Sequence, residues 1–468
     1  MSDDQIQEKE REANDNDVED NPFRLNDEEI RGAMEAVRAQ DSDTVHALID
    51  DMSPADVAEL IEKVGDEDRR EFVGMFSEQF DPQTFSELNH ELRRQTLSAM
   101  RAEDVAGIIT ELDSDDALDI IEDLDEDFQQ EIIRKLSAKT RLAVEEGLTF
   151  PEDSAGRLMQ REVVAVPEFW TVGKTIDYLR SASDTLPADF FDIIVVSPSY
   201  HVTGEIPLRR LVCSKRSVKL DTLTLEDAHP IPAEMDQEEV ADIFRRDNIL
   251  SAPVVDENGR LLGIITIDDI IDVIDEEAQE DFLKLAGVED SDLYRAIFST
   301  TSKRFRWLFV NLLTAILASA VISFFDATIE QIVALAVLMP IVASMGGNAG
   351  TQALTVAVRA LATRELSETN AWRIIGKETI VGTINGALFA ILAGIATALW
   401  FASPMLGAVI AMAMIINLII AGSFGAGIPI ILQRMGADPA VASAVVLTTV
   451  TDVVGFFAFL GLAALLLL

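Results

Sequence analysis

The sequence has one cysteine, Cys213, in 468 residues, which excludes a disulfide framework and a thiolate metal site. Histidine is almost as scarce. His46, His90, His201 and His229 are scattered, a distribution that does not support zinc or copper ligation. Any metal chemistry here is therefore expected to use oxygen ligands and a hard cation. Basic charge is also short, with 37 Lys and Arg against 81 Asp and Glu, for a formal net charge of −44. A field of that sign repels nucleic acid and anionic lipid and accumulates cations, so no nucleic-acid partner is expected. Met1–Asp20 holds no apolar run, and no signal peptide is expected there.

Apolar residues, by contrast, make up 49% of the chain. That share and the net charge fit badly in one globular domain, and the length allows two to four. A division near residue 303 resolves the conflict. Residues 304–468 hold seven basic and seven acidic side chains, so the whole −44 lies in residues 1–303.

Uncharged runs in the neutral part are long enough to cross the roughly 30 Å hydrocarbon layer of a lipid bilayer. They predict five membrane spans near 307–325, 331–358, 379–401, 406–432 and 440–466. The second is interrupted by Met345-Gly-Gly-Asn-Ala-Gly350, and the break between the third and fourth falls at Ala402-Ser-Pro-Met405. Lys303, Arg304 and Arg306 precede the first span, Arg359 to Lys377 separate the second from the third, and Arg434 follows the fourth. The other connections, Asp326–Glu330 and Ala402–Met405, carry no basic residue. Because basic loops stay cytoplasmic, residues 1–303 are expected in the cytosol, with the C-terminus outside.

The polar part divides further. Residues 1–25 are expected to be a disordered tail. Residues 26–150 are rich in helix formers and contain a repeat, Met52-Ser-Pro-Ala-Asp-Val-Ala-Glu-Leu-Ile61 recurring as Met100-Arg-Ala-Glu-Asp-Val-Ala-Gly-Ile-Ile109. Asp68/Asp116, Phe72/Ile120 and Val73/Ile121 keep that register, so an all-α superhelix of short helices is predicted. From 151 to 275 the pattern changes to short strands alternating with helices. Ala252-Pro-Val-Val-Asp-Glu-Asn-Gly259 reads as strand and tight turn, Arg260–Ile265 as a second strand, and Asp268–Ile274 as the start of a helix. Ile194-Val-Val-Ser197 and Gly204 match Pro253-Val-Val-Asp256 and Gly263, 59 residues upstream.

These residues resemble an α+β tandem pair of cystathionine-β-synthase (CBS) domains, 151–225 and 226–275, a module that commonly senses adenine nucleotides or ions. Thr266-Ile-Asp-Asp269 has the nucleotide-type pattern, making Thr266 and Asp269 weak candidates for ATP as a regulatory ligand. The first copy has Pro207 and Arg210 at the matching places, so at most one such site is expected; a purely structural pair is the other reading.

Three constellations carry chemistry. Asp452 is alone in an apolar span, where a carboxylate costs several kcal/mol unless it faces water, a partner or an ion. Thr448 and Thr449 lie four and three residues before it on the same helical face, an arrangement suited to a hydrated cation in a pore. A carboxylate bonded within the bundle, or a proton carrier, are the other readings. Second, Gly346, Gly347, Asn348, Thr351 and Gln352 combine small residues with hydrogen-bonding side chains, for helix packing or a pore lining. Third, Asp268–Asp281 is a dense acidic run: Asp269 and Asp272 share a helical face, as do Glu277, Glu280 and Asp281. Packed against another acidic face, such carboxylates repel unless divalent cations bridge them; an ordinary solvated face is the alternative.

In this order the parts resemble the MgtE family of magnesium channels, from about residue 30 to 468. The most specific segments are Gly346-Gly-Asn-Ala-Gly-Thr-Gln352, Arg359-Ala-Leu-Ala-Thr-Arg-Glu365 and Thr448-Thr-Val-Thr-Asp-Val-Val-Gly455. The resemblance implies a homodimer whose ten helices line one pore and bind hydrated Mg²⁺ at Asp452. It further implies that Mg²⁺ binds between the cytosolic parts and holds an acidic connecting (plug) helix, residues 276–303, against the pore. Carried over, Asp269, Asp272, Glu277, Glu280 and Asp281 are sensor candidates, Asp438 shares an ion with the plug helix, and Asp236 and Glu238 are further candidates. Two positions depart from the family pattern: Ala444 replaces a pore-lining asparagine, and Asn248 an interface aspartate. The expected function is Mg²⁺ import down its gradient across the cytoplasmic membrane, closed by cytosolic Mg²⁺, with Co²⁺ uptake a near variant and no enzymatic activity. A proton-coupled divalent-cation transporter, or a CBS-domain receptor without transport, are the alternatives.

Overall fold

The structure, a computed structural model, describes residues 25–468 apart from 26, 40, 184, 188–189, 225–228, 289–296 and 367–368. The expected tail, 1–25, lies outside the described residues except for Leu25. The chain separates into two compact units, Met1–Glu276 and Glu277–Leu468.

The first unit begins with short helices, from Asp27–Arg38 to Ala138–Gly147. Helices this short are marginal alone in water, so packing of one apolar face must hold them. The repeat explains how. Val57, Ala58 and Ile61 of Pro54–Lys63 are buried, as are Val105, Ala106 and Ile109 of Ala102–Glu111. Phe72 and Val73 are buried like Ile120 and Ile121, so what recurs is a set of core positions. Ser53 starts the first copy with a capping box: its side chain accepts from Asp56 N–H while the Asp56 carboxylate accepts from Ser53 N–H. The second copy has Arg101 at that place, with no side-chain cap.

Two three-stranded sheets follow. In one, β1 (Ala165–Pro167) is parallel to β2 (Asp192–Val196), which is antiparallel to β3 (Val202–Pro207). In the other, β4 (Ile231–Pro232), β5 (Ser251–Val255) and β6 (Leu261–Thr266) repeat that order. Register repeats too: Val195 opposite Gly204 becomes Val254 opposite Gly263, and Asp192 opposite Pro207 becomes Ser251 opposite Thr266. Even the register shift after Val195 recurs after Val254. The copies meet about a pseudo-twofold axis, as in an isologous dimer. Val202 N–H donates to Gly259 O at 3.2 Å and Leu261 N–H to Tyr200 O at 3.0 Å, bonds that the exchange of copies interconverts. On the axis Ser251 Oγ donates to Asp192 Oδ2 at 2.7 Å.

β6 leads directly into the helix Ile267–Leu285. Of the connecting helix expected over 276–303, residues 276–285 are the second half of Ile267–Leu285, which no cap or breaker interrupts; 289–296 lie outside the described residues, and 297–303 open the helix Ile297–Ser323. Gly287, at φ +70°, follows its end, where a side chain would be strained and would collide with Trp307.

The second unit contains, among the described residues, five helices long and apolar enough to cross a membrane: Ile297–Ser323, Ala334–Ala362, Ala371–Trp400, Pro404–Arg434 and Pro439–Leu467. Each extends past its apolar run into charged or capped ends. Asp438 caps the fifth, its carboxylate accepting from Ala440 N–H at 2.7 Å, with Pro439 in the first turn. The expected interruption of the second span does not occur, for Ala334–Ala362 is helical through Met345–Gly350. Its glycines are contact positions instead: Gly346 faces Asn417 of the fourth helix and Gly350 faces Leu447 of the fifth. Small residues let membrane helices approach without breaking them.

Candidate functional site

Asp452 lies in the middle of the fifth apolar helix, half-buried, with no hydrogen-bond or ion-pair partner among the described residues. Thr448 and Thr449 precede it on the same face, their hydroxyls donating back to Ala444 O (3.0 Å) and Val445 O (2.7 Å). That leaves hydroxyl oxygens able to accept from a hydration shell. Ala444 packs beside Leu354, Val358 and Leu447, giving one turn of the face an apolar wall. In the second helix Asn348, Thr351 and Gln352 are exposed on this chain, with Thr351 Oγ1 donating to Gly347 O at 2.9 Å. Gly346 and Gly350 are buried on the opposite, packed side.

A second acidic group belongs to the first unit. Thr266 Oγ1 donates to Asp269 Oδ2 at 3.0 Å, fixing that carboxylate one turn into its helix. Carboxylates of the helical repeat face it. Asp115 is held well above the usual carboxylate range by burial, then by Asp269 and Asp116. Asp269 is pushed up to about 7 by burial, then by Asp268, with Asp116 adding less. Asp116 rises to about 6 through burial, Asp119 and Asp113. Asp272 is raised by burial, Glu87 and Glu276, and Asp113 by burial and Glu162. Negative groups thus press on one another in a partly dry interface. Among the described residues no three acidic or imidazole groups close on one point as a dry metal cage. An all-oxygen set of spaced carboxylates suits instead a hard cation that keeps its waters. Sequence reasoning found Asp269 and Asp272 but missed Asp113, Asp115, Asp116 and Glu87, which come from loops and helices far away in the chain.

Fixed cations stand beside this group. Arg93, buried in the helical repeat, donates to Asp123 Oδ2 at 2.6 Å and Asp119 Oδ2 at 2.7 Å. His90 lies 3.2 Å from Asp123 and 3.1 Å from Glu276, and those two carboxylates lift its pKa to about 10. Asp236 instead caps the helix Gln237–Asp247, its Oδ1 accepting from Glu238 N–H at 3.0 Å. Asn248 ends the same helix at φ 52°, a left-handed position that asparagine adopts more readily than most residues.

The third group lies in the second unit. Lys284, at the end of the connecting helix, places Nζ 2.8 Å from Asp438 Oδ2 and 2.5 Å from Glu280 Oε1. Asp281 is raised by burial and by Asp438. Leu285 packs beside Leu354, Val358, Ile428, Ala440 and Leu447. Glu280, Asp281 and Asp438 are therefore brought together as expected candidates, with a lysine among them that sequence reasoning overlooked. Its signal was the i, i+4 spacing from Glu280. Glu277 lies one turn before Glu280 on the same helix.

Thr266 also lines a cavity of about 10 Å³ between the two CBS copies, with Gln160, Phe190, Asp192, Ser251 and Ile264. That is below the roughly 300–1,000 Å³ of most small-molecule sites.

An apolar five-helix unit with a lone carboxylate in the middle of its last span, in a chain that also carries a CBS pair and an acid-rich helical repeat, has the build of a membrane cation transporter. The chain matches the family model for the MgtE divalent cation transporter over residues 339–462, the MgtE intracellular N domain over 52–153 and the CBS domain over 222–276. Magnesium transporter MgtE of Bacillus subtilis is 34% identical over 329 residues, 70% of this chain and 73% of that protein. Magnesium transporter MgtE of Thermus thermophilus is 34% identical over 335 residues, 71% and 74% of the two chains. A crystal structure of the cytosolic domain of the Mg²⁺ channel MgtE in complex with ATP aligns with a TM-score of 0.49 at 28% identity, covering 52% of this chain and 99% of that one. The chain belongs to the MgtE family.

Proposed function

We propose that the protein is a homodimeric Mg²⁺ channel of the cytoplasmic membrane, importing Mg²⁺ down its electrochemical gradient and closing when cytosolic Mg²⁺ is high. The observation that carries the pathway is Asp452, a carboxylate in the middle of an apolar span with no partner among the described residues. Such a group persists only where water or an ion meets it. One aspartate from each of two subunits, with threonine hydroxyls a turn away, grips a hydrated Mg²⁺ through its water shell. The names of the relatives support Mg²⁺ as cargo, and the basic loops support a cytosolic N-terminus and an external C-terminus.

Closure rests on the acidic interfaces. Asp115, Asp116, Asp269 and Asp272 repel when bare, and a hydrated cation between them favours the closed arrangement. Glu280, Asp281 and Asp438 do the same at the membrane end, with Glu277 alongside. Asp236 and Glu238, at the start of the helix Gln237–Asp247, are further sensor candidates. ATP binding near Thr266 requires the small pocket there to widen.

Mg²⁺ entry into liposomes loaded with a Mg²⁺-sensitive dye tests the reading. Uptake by the wild type and none by a correctly folded Asp452→Ala variant is the expected result. Equal uptake by both removes the ion site from Asp452. Wild-type Mg²⁺ flux that depends on pH, with transport lost but ion binding kept in Asp452→Asn, would instead favour proton coupling.

A further inference from the structure

Asn417 has no function in the account above. It lies in the middle of the fourth apolar helix, Pro404–Arg434, and is fully buried. Its Nδ2 donates to Val342 O of the second helix at 2.8 Å. Its Oδ1 is buried without a hydrogen-bond partner among the described residues. The amide is also what two glycines make room for. A methyl group on Gly346 would fall inside contact distance of Asn417 Nδ2, and one on Gly455 would fall 2.8 Å from the same atom.

Those two glycines belong to the two segments that carry the site: Gly346 opens Gly346–Gln352, and Gly455 follows Asp452 by three residues on the fifth helix. One polar side chain thus joins three helices at the depth of the lone carboxylate. An apolar residue of the same size would pack there without desolvating an amide or orphaning an oxygen. Packing alone therefore does not account for asparagine.

We infer that Asn417 is a positioning residue for transport, seating the Asp452 helix against the Gly346–Gln352 helix so that the ion site has its working geometry. The hydrogen bond to Val342 fixes the amide plane, and the glycines on either side fix how far each helix stands from it. Oδ1 faces this junction as a spare acceptor, able to take a hydrogen bond from water when the helices shift. The inference rests on Asp452 being the ion site.

The test measures Mg²⁺ flux against Mg²⁺ concentration in liposomes for the wild type, Asn417→Leu, Asn417→Ala, Gly455→Ala, the double variant Asn417→Ala/Gly455→Ala, and Asp452→Ala. Asn417→Leu keeps the branching of the side chain, with somewhat more bulk, and loses the amide; it should raise half-saturating Mg²⁺ about tenfold while the variant stays folded. Gly455→Ala, which crowds the amide, should do the same, and the double variant should return toward the wild type because the methyl then fills the vacated space. A purely structural role predicts lower yield or thermal stability with half-saturation unchanged, and that result overturns the inference. If Asn417→Leu does not fold, the double variant decides: half-saturation no closer to the wild type than in either single variant also overturns it. Asp452→Ala separates the two levels. Flux retained there defeats the ion-site reading, whereas flux lost there with Asn417 variants behaving as wild type defeats the positioning role alone.

Discussion

Glu205 stands where the second CBS copy has Ile264, 59 residues on, at the interface of the two copies. It is 4% exposed, its Oε2 lacks a partner among the described residues, and burial followed by Asp192 lifts its pKa to about 7. A carboxyl raised in the folded state binds its proton more tightly there than in the unfolded chain. Its contribution to stability is complete below about pH 4.5 and is lost as pH rises through about 7. The full shift corresponds to roughly 3 kcal/mol. Glu205→Gln should therefore unfold at a higher temperature than wild type at pH 8 and at nearly the same temperature at pH 5. An equal difference at both pH values would mean that the charge is irrelevant. Arg93 makes the converse case: removing it leaves Asp119 and Asp123 without their buried partner, and Arg93→Ala should cost about 3–5 kcal/mol in denaturant unfolding of the full chain. Loss below about 1 kcal/mol would relegate the pair to the surface class. At this scale the sequence was informative where one residue contrasts with its neighbours. Asp452 was legible because the run around it is apolar; Asp115 was not, because its significance comes from Asp269, which only the fold brings near.

The connecting helix carries its information in periodicity. Glu277, Glu280 and Asp281 could be placed on one face from spacing alone, and Asp438 could be assigned to the loop before the last span. The helix start near Asp268 was legible, but spacing could not supply its continuity across 275/276 to Leu285, because propensity is continuous there and the change from CBS helix to connector has no local mark. Nor did the glycines of the second span break it, for their role is tertiary, against Asn417 and Leu447. At its membrane end Lys284 bridges Glu280 and Asp438 as a tethered cation, offsetting part of the repulsion that a bound Mg²⁺ would otherwise relieve. Under the proposed closure, Lys284→Ala should accordingly raise the internal Mg²⁺ that halts flux by about two- to fivefold, in line with about 0.5–1 kcal/mol for a partly exposed ion pair. Neutralising Glu277, Glu280 and Asp281 together should go further and leave flux open at high internal Mg²⁺. Closure by Mg²⁺ unaltered in that triple variant would take the connecting helix out of the gate.

For the whole molecule the decisive quantity is where the charge lies. All of the −44 falls before residue 304, a partition that counting alone revealed. Such a charge destabilises a compact state by self-repulsion, and two different remedies exist. Ordinary salt screens exposed charges over about 10 Å at 0.1 M and acts alike for any ions of equal strength. A cation held between Asp115, Asp116 and Asp269 acts by mass action on the folded state alone, worth about 2.7 kcal/mol at a hundred times its dissociation constant. For a unit of this size that is a rise of roughly 5–10 °C in unfolding temperature. The two remedies separate when the purified protein is melted in K⁺ and in millimolar Mg²⁺ at matched ionic strength. Mg²⁺ should add its increment over K⁺, and Asp115→Asn/Asp269→Asn should melt higher than wild type without Mg²⁺ yet gain less from it. Identical melting in the two salts would assign the acidity to solubility and leave closure to be explained by the membrane-end carboxylates alone.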